Sequence, residues 1–257
     1  MTFKKDDTSH DDAIELSILR QQDIVTQIVT LAEEYAHVLE KQISLRIREM
    51  EQDDKSHYLI YQVLRVSEQE GHLIDAYQNK GRFLYKYAGS FLEKAAILCF
   101  LHGCNSVLPK QRVRNTLGTK PKEFEIDCLV ETDAIELKWR DATTDGDHIT
   151  KEHTRVKVIQ QAGFKPVRVM FYRPNREQAI RIQETLQTLY KGVSGEYYSG
   201  DEAWQYIAQK TGVDLKAILV SIAEQQKSAA EKASFLQGER AIEAEKRIEK
   251  LVEDNQV

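Results

Sequence analysis

The sequence predicts an α/β fold, a mixed central sheet flanked by helices, with helical extensions at its N- and C-terminal ends. Two observations predict it. Runs rich in β-branched and aromatic residues (EFEIDCLVET, AIELKW and VRVMFY) fall within 123–172, and one helix-length stretch separates the second from the third. On either side lie longer segments whose apolar residues recur at three- and four-residue steps. The composition permits such a fold. A chain of 257 residues, 41% hydrophobic, can bury a sizeable core, and 12 Gly with 4 Pro are too few for a low-complexity chain.

Taken in order, Ile14, Ile18, Ile24, Ile28, Leu31, Tyr35, Val38 and Leu39 mark a helix from Asp12 to about Glu51, which DDKS at 53–56 ends. A second helical stretch covers Tyr58 to Tyr77, with Gly71 as a soft interruption. A third starts near Ser90 and runs through FLEKAAILCFL to Gly103, which is placed for a C-cap. VLPKQRVRNTLGTKPKEF, with Pro109, Gly118 and Pro121, reads as loop with room for one short strand. Two strands follow, separated by a turn around Thr132 and Asp133, and DATTDGD is a polar loop.

His148 to Ala162 is then helical and stopped by Gly163. Val167 to Tyr172 is a strand ended by Arg173-Pro174, and Asn175 caps a helix to about Lys191. Asp201 to Lys210 and Asp214 to about Val252 are helical again, with Trp204 and Tyr206 at core spacing. Three regions result: an N-terminal helical region over 1–80, a core over 81–192 and a C-terminal helical region over 193–257.

Net charge is −5, but its distribution is uneven. Between Lys80 and Lys122 stand Lys80, Arg82, Lys86, Lys94, Lys110, Arg112, Arg114, Lys120 and Lys122 against Glu93 alone, a basic middle able to hold a polyanion. The longest apolar run, Ala95 to Leu101, is too short to span a bilayer, so no membrane partner is expected. No apolar stretch follows the lysines of MTFKKDDTSHDD. With Cys99, Cys104 and Cys128 an odd set lacking a CxxC pair, the expectation is a cytoplasmic protein with reduced thiols.

The informative residues are Asp127, Glu136 and Lys138. Glu136 and Lys138 share one face of a strand. A hairpin symmetric about 132 and 133 sets Asp127 opposite Lys138 and diagonal to Glu136, roughly 7–8 Å away at the backbone. Two carboxylates this close need a cation, and a hard divalent ion such as Mg²⁺ accepts oxygens from both. An ammonium beside them suits attack of water on phosphorus. Two other (D/E)xK tripeptides, Asp53/Lys55 and Asp214/Lys216, lie in a polar break and at a helix start. Only Glu136/Lys138 is on a strand, across a turn from a second acid.

ID at 126–127 and ELK at 136–138, within helix, strand, strand, helix, strand, resemble the PD-(D/E)XK nuclease superfamily over roughly 85–191. IELKWRDATTDGDHITKEHTR (135–155) is similar to the ApaLI-like type II restriction endonucleases. Ile126 stands where the motif's proline would be. The resemblance implies a restriction-endonuclease-like core and Mg²⁺-dependent cleavage of double-stranded DNA. It implies Asp127 and Glu136 as metal ligands, the Leu137 carbonyl as a third, and Lys138 at the water. Glu93, four residues after Gly89, either joins the metal site or pairs with Ser90 in a capping box.

His148, Lys151 and Arg155 fall on one helix face beside this site, which is either a solvated charged face or a set of phosphate contacts. Arg140, Thr143, Thr144 and Asp145 are loop candidates for DNA contact. His148 and His153, five residues apart, point roughly 140° away from each other on a helix and do not form a zinc pair. The favoured reading is a homodimer cutting a palindromic site, since a two-fold site asks for a two-fold enzyme. Its alternatives are a structure-specific repair or recombination nuclease and a non-enzymatic helical interaction module. Plasmid cleavage with and without Mg²⁺ separates the three.

Overall fold

The computed structural model describes residues 23–140 and 146–229, and for 146–148 the backbone alone. Two compact units result, 1–215 and 216–257. The first contains the sheet and every described site residue; of the second, a helix continues to 229.

Helix α1 spans Ile24–Gln52, and the Asp23 carboxylate caps it by accepting the Thr26 N–H at 3.3 Å. Helix α2 is one short piece, Tyr58–Val63, and α3 runs unbroken over Glu68–Gly103 from a Ser67 cap that accepts the Glu70 N–H. The sequence expectation of separate helices at 58–77 and from Ser90 is corrected here. The break falls at 64–67, and Gly81 and Gly89 sit inside α3. Each glycine costs the helix about 1 kcal/mol, which packing of α3 along α1 outweighs, with Tyr35 against the Phe91 and Tyr87 rings. Ser90 and Glu93 therefore form no capping box. Gly103 is needed for a different reason than capping: a Cβ there would lie 1.9 Å from the Thr211 carbonyl oxygen.

The sheet has the order β1 (Val107–Arg114), β2 (Glu123–Val130), β3 (Asp133–Arg140), β4 (Lys165–Tyr172) and β5 (Glu196–Ser199). Its first two pairings are antiparallel and its last two parallel. The parallel steps need crossovers, which α4 (Gly146–Gln161) and α5 (Glu177–Gly192) provide. Two expectations are corrected. The segment read mainly as loop contains the full eight-residue strand β1, whose alternating half-buried side chains are diluted by charges. The 193–257 region read as helical contributes β5 to the sheet. Likewise α3 crosses the expected boundary at 80.

Adjacent β4 residues face opposite ways. Met170 joins Val156, Ile182, Leu186 and Tyr190 beneath α4 and α5, whereas Phe171 packs at a tilt against Trp204 of α6 (Asp201–Thr211), 4.5 Å between centroids. Helix α6 packs on α3, so the sheet lies between an α4/α5 layer and an α3/α6 layer. The three cysteines are free thiols, and burial pushes Cys99 and Cys128 up to about 12. No described helix is long and apolar enough to cross a membrane.

Candidate active site

The β2–β3 hairpin turns on Glu131 and Thr132, with Val130 opposite Asp133, one residue earlier than the sequence suggested. This correction moves the register by two and keeps the side-chain alternation. Continued, it would set Asp127 against Glu136, leaving Lys138 on the diagonal. The ladder instead runs only from Val130↔Asp133 to Cys128↔Ile135. Beyond it, the Leu137 N–H donates to Asp127 Oδ2 at 2.9 Å. In an unbroken antiparallel ladder a main-chain carbonyl would take that proton. A side-chain carboxylate thus fills the gap between two parting strands.

Glu136 and Lys138 face α4, and the ammonium of Lys138 lies 2.6 Å from Glu136 Oε1. The Arg155 guanidinium on α4 donates to Glu136 Oε2 and, at 2.7 Å, to the Glu125 carbonyl. Arg155 also faces Glu152, whose carboxylate accepts from Arg168 at 3.3 Å and from the Tyr190 hydroxyl at 2.6 Å. Arg155 is buried, as are Glu136, Glu152 and Arg168. The sequence left Arg155 either on a solvated face or at a phosphate; its guanidinium is instead buried against Glu136.

These neighbours separate the two acids electrically. Burial, and then the Glu136 charge, push Asp127 up to about 7, against smaller pulls from Lys138 and the Leu137 amide. For Glu136, burial acts upward but the Arg155 and Lys138 cations outweigh it, holding the carboxyl well below its usual range. Lys138 is raised, because Glu136 and Asp127 overcome its own burial. The site therefore carries one secure carboxylate, one acid that titrates near neutrality and one firmly protonated lysine.

Lys110 completes the site, and sequence reasoning missed it because β1 was read as loop. Its register position faces Asp127. Its ammonium bonds Glu93 on α3 and stands 3.4 Å from both Asp127 Oδ1 and Glu125 Oε1. The Lys110 backbone is left-handed, φ 56°, where a non-glycine residue is strained. Glu93 thus reaches the site through a lysine. Among the described residues no three His, Cys, Asp or Glu groups converge as a ready metal cluster. The donor chemistry nevertheless fits a hard cation. Asp127, Glu136, Glu93 and the Leu137 carbonyl offer oxygens only, and ammonium or guanidinium groups now bond to the carboxylates.

Glu136, Lys138, Lys151, Glu152 and Arg155 wall a cleft of about 330 Å³. Lys151 is exposed at its rim. Arg140 is exposed too, its guanidinium over the rings of Tyr85 and Trp139. Thr143, Thr144 and Asp145, and the side chain of His148, lie outside the described residues. Arg168, Glu152 and Tyr190 were not singled out from the sequence. The signal for the first was available: an arginine between the two valines of VRVMFY must be buried with a partner.

This site can hold a divalent cation between acids from two strands and an ammonium beside it, the equipment of metal-assisted phosphodiester hydrolysis. The model of the ApaLI-like restriction endonuclease family matches residues 19–224. No curated protein and no solved structure matches the chain. Enzymes of this kind act on DNA and typically depend on a metal ion. With most of its length matched, fold and sequence agree: the chain belongs to the ApaLI-like restriction endonuclease family and is a type II, site-specific deoxyribonuclease.

Proposed function

We propose that Asp127, Glu136 and Lys138 form the catalytic centre of this endonuclease and that Mg²⁺ is its metal. Asp127, Glu136 and the Leu137 carbonyl are the ligands in this reading, with Glu93 as a further acid once Lys110 withdraws. Bound there, Mg²⁺ supplies Lewis-acid activation of water and neutralises charge on the phosphate.

The protein's own groups do the rest. Lys138 is protonated, so it acts as a donor to the water or to the non-bridging phosphate oxygens, where negative charge develops in the transition state. Arg155 keeps Glu136 ionised and fixed in direction. The amide of Leu137 orients Asp127, leaving Oδ1 for the cation. Lys151 and Arg140 serve as DNA contacts, and Thr143, Thr144, Asp145 and His148 remain candidates for the same role. We further propose a cytoplasmic homodimer on a palindromic duplex, each protomer cutting one strand, because two-fold symmetry in the site asks for it in the enzyme.

The observation that carries this reading is the hydrogen bond from Leu137 N–H to Asp127, which holds one acid against the strand bearing the other acid and the lysine. Digestion of a plasmid and of a genome of known sequence, with and without Mg²⁺, tests it. Discrete fragments that require the ion are expected. Random nicking, or cutting unaffected by chelator, contradicts the reading.

A further inference from the structure

Besides the cleft at Glu136 and Lys138, the protein has a larger one of about 490 Å³ where β3 and β4 end. In chemistry the two differ. Arg140, Arg173 and Arg176 line this second cleft together with Trp139, Tyr172 and Asn175, and no carboxylate is among its described lining residues. Three cations collected in one concavity focus a positive potential.

The polar groups are available. The side chains of Arg173, Asn175 and Arg176 make no hydrogen bond or ion pair among the described residues, and all three residues are exposed. The Arg140 guanidinium lies over the rings of Tyr85 and Trp139, 5.2 Å and 5.7 Å from their centroids, against an aromatic wall. The place is also where ligands collect in such folds, since β3 and β4 are parallel and the cleft lies past their C-terminal ends. The sequence reading had Asn175 as the cap of α5. Instead Arg176 is the N-cap, and no side chain caps the helix.

We propose that this cleft binds a backbone phosphodiester of the DNA together with the nucleoside attached to it. Arg173 and Arg176 take the phosphate oxygens in bidentate fashion, as guanidinium groups do, and Arg140 with Trp139 packs against the sugar or base. Its volume is in the range of pockets that enclose one small ligand, so it holds one nucleotide rather than a length of duplex. Trp139 and Arg140 directly follow Lys138 on β3, which puts this contact next to the scissile position. The inference rests on the nuclease reading of the Lys138 cleft and adds a second anchor for the same substrate.

The test is the Arg173→Ala/Arg176→Ala double variant. Both side chains are exposed, and a thermal melt checks that the fold is kept. Affinity for a fluorescent duplex is measured in Ca²⁺ at several salt concentrations. Loss of affinity on every duplex sequence is expected, with the plot of log affinity against log salt flattened by about 0.9 for each phosphate contact removed. An unchanged slope and affinity overturn the pocket while leaving the nuclease reading standing. Unaltered protein that binds no duplex at all overturns the nuclease reading itself. A nucleoside monophosphate that binds the unaltered protein but not the variant, while duplex binding is the same for both, assigns the cleft to a free nucleotide and also overturns the proposal.

Discussion

Asp127 accepts the amide hydrogen of Leu137 at 2.9 Å, so one acid of the site is bonded to the backbone between the other acid and the lysine. That bond fixes the geometry through main chain rather than through a flexible side chain. It also means that an asparagine at 127 can keep the bond while losing the charge.

Asp127→Asn should therefore fold and bind DNA without metal much as the unaltered protein does, yet lose most Mg²⁺-dependent cleavage. Glu136→Gln should lose it too, since amide oxygens are weaker ligands for a hard cation. Single-turnover cleavage at saturating Mg²⁺ checks both. Normal cutting by either variant would move the ligand role to Glu93.

The raised carboxyl of Asp127 sets a pH dependence with a definite sign. In the proposed reading Mg²⁺ displaces a proton from Asp127 below about 7, so its affinity should fall by up to tenfold per pH unit under that value and level off above it. Stability of the metal-free protein should move the other way. The folded value lies above the ordinary 3.8, so the Asp127 contribution is complete below that and is lost as pH rises through about 7. Glu136 has the opposite sign, but its contribution is already complete above its ordinary 4.5, leaving Asp127 alone of these two in the window between. Calorimetric titration of Mg²⁺ at several pH values, and urea melts of the unaltered protein and Asp127→Asn, read both effects. A melt slope that Asp127→Asn leaves unchanged would contradict them.

Arg155 should behave as a structural cation. Arg155→Met leaves Glu136 and Glu152 buried with a cation removed, and breaking a buried pair from one side costs about 3–5 kcal/mol. A denaturant melt measures this. The milder Arg155→Gln variant, which keeps a donor toward Glu136, should leave the salt dependence of DNA binding unchanged. A flattened salt plot for Arg155→Gln would restore the phosphate-contact reading.

Lys151 is the contrasting case, exposed on the same helix. Lys151→Ala should leave the melting temperature within about a degree or two and weaken all duplexes alike, flattening the salt plot by about 0.9, or twice that in a symmetric dimer. If sequence preference collapses and the slope stays, the side chain reads a base instead.

Much of the site could be read from the chain because its signal is local. Glu136 and Lys138 share a strand face by alternation alone, and the misplaced turn shifted the pairing by two, which preserves facing. What could not be read depends on contacts between distant segments. Lys110 meets Glu93 and Asp127 only because β1 pairs with β2, and proline and charges disguised β1 as loop. Arg155 resembled a surface charge until α4 crossed over β3 and set it on Glu136. The division of helices failed likewise. Gly81 and Gly89 argue locally for a break in α3, and packing on α1 overrides them.

In the proposed mechanism Lys138 acts on the reacting atoms while Asp127 and Glu136 hold the metal. The most direct measurement is single-turnover cleavage by Lys138→Ala, with DNA affinity in Ca²⁺ measured on the same preparation. Cleavage should fall at least about a hundredfold, the scale for a lost electrostatic group, while affinity changes only slightly. Cleavage at the unaltered rate, with affinity intact, would contradict the assignment of the active site.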